Sequence, residues 1–350
     1  MRLTRAAIST GRHPPVWKRA RGVVIRKPGK DDYTKLKACR SISLLSWKGK
    51  VVEKVAAELL SEEAERSGLL SDGQFGHRKG RSAIDAAAIM VHRAHAAWTK
   101  CHITGLFLMD IMAAFPSVAN GRLVNLIKVR PVDGDLIRWT ECVPLETTVE
   151  MIIEVNGMER NPVEAGASQC TPVSPILFAI YTSRLIKSVE EYVSEAEGLS
   201  VEVDRGWVAT RSDVNHVVSI LGTCAAKSIE WARRRGLQFD TAKTEALRFT
   251  RRRGHRKHLR PKLTAKIRVA NGSIRFNGQV TRWLGGWMDA HLTCKEHYYR
   301  CGRKPGQQTL DSERIPRYTA LVLRVYGPSM RRASKRSHYI GAGSSGTAVK

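Results

Sequence analysis

The feature that most constrains this fold is a short apolar run that ends in a carboxylate. Residues 103–109 carry Ile, Leu, Phe and Met and stop at Asp110, and a run of this length favours a buried strand over a helix. A second strand region, residues 198–210, contains Asp204. Two aspartates on separate strands of one sheet can hold Mg²⁺, which prefers hard oxygen ligands. Taken singly, each aspartate is more often an ordinary strand-end or turn residue.

The rest of the chain is patterned as a mixture of helices and strands. Apolar residues recur at helical spacing in the segments 48–67, 82–98, 175–191 and 213–235. Residues 267–276 alternate around Asn271 and Gly272, a strong signal for a β-hairpin. Residues 251–262 hold seven Lys/Arg. This basic run suits the phosphates of a template or primer, with a solvated loop as the alternative.

The charge balance points to a polyanionic partner. There are 59 Lys+Arg against 32 Asp+Glu, a net charge of +27, and nucleic acid is the natural counterpart of such an excess. A ribosomal-type or histone-like protein is the alternative, but here the charge is spread through segments with apolar periodicity. Seven scattered cysteines without a C-x-x-C pair argue against a disulfide framework. We find no signal peptide and no apolar stretch of about 18 residues, so we expect an intracellular, nuclear protein without membrane contact.

Several short motifs follow one another in a recognisable order. Those ahead of Asp110 are Lys27–Lys30, Arg40–Leu45, Gly49–Lys54 and Gln74–Gly76. The motif that contains Asp110 and the motifs that follow it are Phe107–Phe115, Gln169–Phe178, Gly198–Trp207, Phe239–Glu245 and Arg282–Gly285. Together they resemble the motifs of reverse transcriptases from non-LTR (LINE-like) retrotransposons, and the resemblance runs from about Pro15 to about Cys301.

The resemblance implies an α/β right-hand polymerase with fingers and palm, in which helices pack on a ferredoxin-like antiparallel palm sheet. The expected divisions are a basic tail (1–14), a fingers-like region (15–100), a palm-like core (101–290) and a basic, disordered or degenerate region (291–350). It also implies RNA-directed DNA synthesis from deoxynucleoside triphosphates, with an RNA template, a DNA primer and Mg²⁺ or Mn²⁺.

The resemblance assigns roles to individual residues. The catalytic set would be Asp110, Asp204 and Lys243, with Asp110, Asp204 and the carbonyl of Ile111 on the metal and Lys243 as a proton donor near the pyrophosphate. The residues at the nucleotide would be Lys27, Arg40, Phe115 and Gln169. The residues at the primer and template would be Trp283, Leu284, Gly285, Arg251, Arg252 and Arg253. Without the resemblance, Phe115 would be read as a core residue, Lys243 as a surface residue and Trp283 as hairpin packing.

The third catalytic motif departs from the family, which carries two adjacent aspartates there. Aligned without gaps, Val203 stands in place of the first aspartate and Asp204 matches the second. With a shift of one residue, Asp204 is the first and Arg205 replaces the second, placing a cation beside the metal site. One carboxylate is missing in either register. Strand alternation would put Glu202 on the same face as Asp204, as a substitute ligand.

Other departures agree with a damaged site. They are Pro116 in place of Asp or Asn, Cys170 in place of Gly, and Ser41 in place of Pro. We therefore expect catalysis to be absent or very weak. An active polymerase, an inactive nucleic-acid-binding remnant and a non-functional product remain open. We also expect neither an endonuclease before the fingers nor a basic helical thumb after Cys301.

A further group at 291–301 has the spacing of one helix face. It consists of His291, Cys294, His297 and Cys301. A zinc site is one interpretation, but structural zinc sites usually draw ligands from a turn and a second element. A plain amphipathic helix is the favoured interpretation.

Overall fold

A computed structural model of the chain describes residues 2–29, 31–35, 38–146, 148–152, 171–250, 266–269, 272–277, 280–293 and 295–302. Among the expected functional residues, Gln169 and the arginines at 251–253 lie outside the described residues, as do Cys170 and most of the region 291–350.

The helices begin where a polar cap precedes an apolar face. Ser46, for example, accepts a hydrogen bond from the Gly49 N–H at 3.1 Å and starts the third helix. The helices are α1 (Arg2–Ser9), α2 (Pro15–Lys18), α3 (Trp47–Arg66), α4 (Ala83–Thr99), α5 (Asn120–Lys128), α6 (Gly134–Glu146), α7 (Ser174–Glu190), α8 (Val214–Arg233) and α9 (Lys295–Gly302). The four helices predicted from periodicity are confirmed as α3, α4, α7 and α8.

The strands form a small sheet, a large sheet and a separate hairpin. They are β1 (Arg19–Arg26), β2 (Cys39–Leu44), β3 (Ile103–Met112), β4 (Thr148–Ile152), β5 (Ala196–Val201), β6 (Asp204–Arg211), β7 (Gln238–Phe239), β8 (Glu245–Phe249), β9 (Lys266–Val269), β10 (Gly272–Asn277), β11 (Val280–Trp283) and β12 (Gly286–Asp289). The small sheet has the order β2-β1-β4. The large sheet has the order β5-β6-β3-β8-β10-β9, with β7 paired to the end of β3, and β11 pairs with β12.

The strand predictions hold in most respects. The run at 103–109 is β3, and the hairpin around Asn271 and Gly272 is β9–β10. The region 198–210 is not one strand, because Glu202 and Val203 form a turn between β5 and β6. The sheet is antiparallel from β5 through β6 and β3 to β8, as expected, but β10 joins β8 in parallel.

The two faces of the large sheet bury different clusters. Alternate residues of β3 such as Phe107 and Met109 face α7 and α8 and belong to one cluster. Leu106 and Leu108 face the other way, toward α4 and the β11–β12 hairpin, where Trp283 is buried. We call these the helix face and the open face of the sheet. Because Asp110 follows Leu106 and Leu108 in the alternation, its side chain belongs to the open face.

The N-terminal segment contains a helix. Residues 1–14 were expected to be a basic tail, yet Arg2–Ser9 form α1, and its residues Ala7 and Ile8 are buried in contact with the elements α3 and α6. Within the described residues, no helix combines the length and the apolar character that a bilayer crossing requires.

Candidate active site

The two candidate metal ligands face each other across neighbouring strands. Asp110 on β3 is in direct register with Asp204 on β6, and residues opposite one another in an antiparallel pair project to the same face. The Asp110 side chain is 13 % exposed, and Asp204 is half-buried. The sheet register therefore brings together two carboxylates that are 94 positions apart in the sequence.

Lys243 is the third member of this group. Its ammonium forms an ion pair with Asp110 and lies 3.9 Å from the carboxylate of Asp240. The hydrogen bond to Asp110 raises the pKa of Lys243. Burial, followed by the negative charge of Asp110, raises the pKa of Asp204, while Arg205 and Lys243 lower it. The predicted association of Asp110, Asp204 and Lys243 is present in the structure.

The backbone around β7 explains how Lys243 reaches Asp110. β7 pairs with the end of β3 through Ile111 and Phe239, and the Asp240 N–H donates to the Asp110 carbonyl oxygen at 2.8 Å. The Asp240 side chain then accepts from the Ala242 N–H at 3.1 Å and starts a single 3-10 turn, Thr241–Lys243. This turn places Lys243 beside the carboxylates.

The turn between β5 and β6 determines where the missing carboxylate would lie. Val203 is a turn residue, and its carbonyl oxygen accepts from the Ile111 N–H at 3.4 Å. The strand alternation assumed for Glu202 is wrong, because this residue is in the turn with a φ of 51°. Its carboxylate lies 3.4 Å from His77 Nε2, and the hydrogen bond with His77 lowers the pKa of Glu202.

Arg205 lies on the helix face, behind the carboxylates rather than beside them. Its guanidinium is buried and donates to the carbonyl oxygen of Glu202 at 2.6 Å and to the hydroxyl of Thr182 at 2.7 Å. It also lies 5.9 Å from the ring centroid of Phe178. Burial lowers the pKa of Arg205 to about 10, and Asp204 and Asp110 oppose that shift, so the side chain remains a cation at neutral pH.

The donor set suits a magnesium ion only in part. Among the described residues, no group of three or more His, Cys, Asp or Glu side chains is arranged to hold a metal. Mg²⁺ is commonly bound by one or two carboxylates and completes its shell with water and substrate phosphates. Asp110 and Asp204 meet that smaller requirement, and the ion pair with Lys243 shows that the place where they converge attracts a cation.

The expected nucleotide-binding residues fall into two places. Phe115 is half-buried just after β3, with its ring 5.4 Å from that of Phe178, so it contacts the core and retains an accessible surface. Arg40 is exposed on β2 opposite Ile25 of β1, and the Lys27 N–H donates to the Ala38 carbonyl oxygen at 2.8 Å. Lys27 and Arg40 therefore share the β1–β2 hairpin of the small sheet.

The expected primer-binding residues form the β11–β12 turn. Leu284 and Gly285 both have positive φ, 51° and 81°, as a two-residue I′ hairpin turn requires. Trp283 is buried on the open face, and a Cβ added to Gly206 would lie 3.2 Å from its ring. Because Gly206 is two residues from Asp204 on β6, this packing ties the hairpin to the strand that carries a candidate ligand.

Several residues near the site had no role in the sequence-based prediction. Arg205 was considered only as a residue beside the metal, and Asp240 only as part of a motif. Their burial and contacts follow from strand register, which no local pattern encodes.

The side chains of the group at 291–301 contact different partners. His291 contacts the Thr250 carbonyl oxygen, and His297 accepts from the Trp287 N–H at 3.3 Å. Cys294 lies outside the described residues.

Relatives support the polymerase interpretation of this geometry. The chain is 25% identical over 297 residues to a "probable RNA-directed DNA polymerase from transposon BS" of Drosophila melanogaster, covering 81% of this chain and 31% of that protein. It is 24% identical over 296 residues to the "RNA-directed DNA polymerase from mobile element jockey" of the same organism, covering 83% and 31%. The chain thus spans about a third of the length of these relatives. These matches confirm the resemblance to non-LTR reverse transcriptases.

A solved structure supports the fold. An apo telomerase from Candida tropicalis, truncated from its C-terminal domain, matches with a TM-score of 0.52 at 10% identity, covering 81% of this chain and 55% of that one. The right-hand polymerase fold predicted from the motifs is thereby confirmed. The family model for reverse transcriptase (RNA-dependent DNA polymerase) matches residues 25–286, which include β3, the β5–β6 hairpin and Lys243. This chain therefore belongs to the reverse transcriptase family.

Proposed function

We propose that this chain is the polymerase domain of a retrotransposon RNA-directed DNA polymerase and that its catalysis is strongly impaired. The observation that carries the proposal is the direct register of Asp110 with Asp204, with Val203 in the adjoining turn. Two carboxylates are in place, and the residue at the third position has a hydrocarbon side chain. The partners are an RNA template, a DNA primer and deoxynucleoside triphosphates.

The carboxylates and one carbonyl form the metal-binding part of the proposed site. Asp110, Asp204 and the carbonyl of Ile111 would hold Mg²⁺ or Mn²⁺. When bound, such an ion lowers the pKa of the primer 3′-hydroxyl and offsets charge on the triphosphate. Lys243 is the proton donor of this proposal, because its ammonium already lies at the carboxylates and a lysine is protonated at neutral pH.

The remaining residues bind and position substrate. Phe115 excludes a 2′-hydroxyl by its bulk, while Lys27 and Arg40 attract the triphosphate from the β1–β2 hairpin. Trp283, Leu284 and Gly285 hold the primer end through the β11–β12 turn. Gln169 near the nascent base pair and the three arginines at 251–253 on the template complete the proposal, although they lie outside the described residues.

Two features explain the proposed loss of activity. Val203 supplies no carboxylate where the family carries one, and its side chain packs against the helix-face cluster, while the buried cation of Arg205 lies behind the remaining pair. Both reduce the attraction of the site for a divalent cation. Losing several kcal/mol of transition-state stabilisation lowers the rate on the order of thousands-fold.

A second candidate function is nucleic-acid binding without catalysis. The ion pair between Lys243 and Asp110 favours it, because this pair neutralises one of the two carboxylates with a side chain of the protein itself. The net charge of +27 supplies affinity for a polyanion. Under either candidate function, the proposed location of the protein is the nucleus.

Primer extension on poly(rA)·oligo(dT) with Mg²⁺ or Mn²⁺ tests the proposal. We expect little incorporation by the wild type and a gain of at least about tenfold in Val203→Asp, since restored charge should recover part of the lost stabilisation. Asp110→Ala in the Val203→Asp background serves as the control and should abolish the gain.

The outcomes separate the candidates. Efficient wild-type incorporation that disappears in Asp110→Ala would show that two carboxylates suffice and would overturn the impairment. No incorporation in any variant, with RNA binding retained, would favour the binding remnant over the polymerase.

A further inference from the structure

Arginines from three helices converge on the outer side of the helix layer. Arg122 is in the first turn of α5, Arg184 is exposed on α7, and Arg234 and Arg235 follow the last residue of α8. We call these four residues the back arginine cluster. Burial lowers the pKa of Arg235, Tyr181 opposes that shift, and the neighbouring charges of Arg122, Arg184 and Arg234 lower the pKa further.

The cluster is held in place by contacts with backbone and aromatic groups. The Arg122 guanidinium donates to the Arg234 carbonyl oxygen, and the Tyr181 hydroxyl donates to the Arg235 carbonyl oxygen at 2.7 Å. The Arg235 guanidinium carbon lies 4.0 Å from the ring centroid of Trp231, within the range of a cation–π interaction. These contacts orient the end of α8 before any ligand arrives.

The positive charge of the cluster is largely uncompensated. Arg234 forms an ion pair with Glu230 at 2.5 Å, and Glu230 is shared with Lys227 at 3.6 Å. In the part of the chain that the structure describes, no carboxylate forms an ion pair with Arg122, Arg184 or Arg235. Like charges held together repel one another, and an anion that binds among them relieves the repulsion.

The cluster is separate from the proposed catalytic site. Asp110, Asp204 and Trp283 belong to the open face of the sheet, whereas α5, α7 and α8 pack on the helix face. Arg122 and Arg184 are exposed on the side of these helices that faces solvent. A ligand on the cluster would therefore contact the molecule behind the sheet that carries the carboxylates.

We propose that the back arginine cluster is a phosphate-binding site, separate from the polymerase cleft, for the backbone of a nucleic-acid strand. Guanidinium groups bind phosphate oxygens through paired hydrogen bonds and retain their charge at all physiological pH values. A free nucleoside triphosphate offers the same chemistry. The site adds a second contact for nucleic acid and does not depend on whether the carboxylate site is active.

The test compares two double variants of equal charge change. Arg184→Gln with Arg235→Gln removes two cluster cations, and Lys48→Gln with Lys100→Gln removes two exposed cations elsewhere. Anisotropy of a labelled single-stranded RNA is measured against salt. Each lost phosphate contact lowers the magnitude of the slope of log K against log salt by about 0.7, so the cluster variant should lose roughly 1.4 and the control much less.

A second probe identifies the source of the phosphate. If a fluorescent deoxyadenosine triphosphate loses affinity in the cluster variant while RNA does not, the phosphate site stands and its ligand is a free nucleotide. If neither probe distinguishes the cluster variant from the control, the proposal is overturned. Thermal unfolding checks that the variants fold, and the exposed Arg184→Gln repeats the test alone should Arg235→Gln destabilise the protein.

The RNA and nucleotide experiments both measure equilibrium binding affinities. Absence of primer extension therefore bears only on the proposed polymerase function, and an unchanged salt slope bears only on the cluster.

Discussion

At the scale of residues, Arg205 and Glu53 are among the most deeply buried ionisable side chains that the structure describes. Arg205 is 2 % exposed beneath the carboxylate pair, where its guanidinium bonds hold both ends of the β5–β6 turn. A buried charge is retained at a cost in desolvation unless its hydrogen bonds are satisfied, and Arg205 Nε has no protein partner among the described residues. The helix-face position of Arg205 was not predicted, because both alignments of the third catalytic motif concerned only the side of the sheet that carries the carboxylates.

Glu53 is the second of these side chains. It lies on α3 with 2 % exposure and bonds to the Thr171 side chain and the Val173 backbone, where α7 begins. A carboxyl group at a helix N-terminus accepts from backbone groups that otherwise lack partners. Glu53 thus connects the fingers-side helix α3 to the start of α7, the helix that follows the Gln169 motif.

Stability should depend on pH through Glu53. Burial raises its pKa from an ordinary 4.5 to about 7, so the folded state binds this proton more tightly than the unfolded state. The protonated Glu53 contributes up to roughly 3 kcal/mol to the free energy of unfolding. This contribution is fully present below about pH 4.5 and is lost as the pH rises to about 7. Urea unfolding at pH 5 and pH 8 should show a smaller difference in Glu53→Gln than in wild type.

Glu58→Gln is the matched control for this prediction. Glu58 lies on the same helix, but its side chain is 63% exposed and pairs with Lys54 at the surface. An identical pH dependence in Glu53→Gln and Glu58→Gln would contradict the role of Glu53.

At the scale of elements, the packing of β3 on α8 sets how closely the helix layer approaches the sheet. Gly105 of β3 has no side chain, and a Cβ built there would lie 2.5 Å from Val217 and 2.8 Å from Leu221, both on α8. Real Cβ atoms do not approach so closely, so the helix rests directly on the strand backbone. This close approach helps to position the strand that carries Asp110.

Gly105→Ala should therefore destabilise the protein by about 1–3 kcal/mol, since overpacking forces the helix away from the sheet. Gly222→Ala is the control from α8 itself, where a Cβ would meet nothing within 4 Å. There, the higher helix propensity of alanine should stabilise by about 0.5–1 kcal/mol. Denaturation midpoints that move in the same direction for both variants would refute this view of the β3–α8 contact.

At the scale of the whole molecule, one hydrophobic cluster joins regions that the sequence suggested were separate. It includes Ile8 of α1, Leu60 of α3, Trp139 of α6 and Phe107 of β3. The N-terminal and fingers-side helices therefore share a core with the palm-side sheet. Unfolding of one region should expose apolar surface of the others.

Leu60→Ala should test this shared core. Leu60 of α3 is 1% exposed and lies outside residues 110–245, and its truncation should cost about 2–5 kcal/mol. If the core is shared, both the urea midpoint and the proteolytic protection of a fragment from Asp110 to Glu245 should decrease. Trp47→Ala, on the same helix at a residue that is 71% exposed, should change stability by less than about 0.5 kcal/mol. Protection that survives Leu60→Ala unchanged would mean that the palm folds independently.

Much of the local structure was predictable from the sequence. Helices α3, α4, α7 and α8 and strand β3 follow from apolar periodicity and capping, which depend on neighbours within a few residues. The order of the motifs predicted the family and the fold. Asp110, Asp204 and Lys243 could be proposed as a group because each occupies its place in that order.

The contacts among distant residues were decided by the tertiary structure. Sheet register placed Asp110 opposite Asp204, and a two-residue turn moved Glu202 and Val203 out of the strand alternation. That same register turned Arg205 to the helix face, because a shift of one residue exchanges the two faces of a strand. The amino-acid sequence by itself determined helices α3, α4, α7 and α8, strand β3, the β9–β10 hairpin and the family to which the chain belongs. Only the packing of those elements decided which charges meet, since residues far apart in the chain are brought within bonding distance by register and burial.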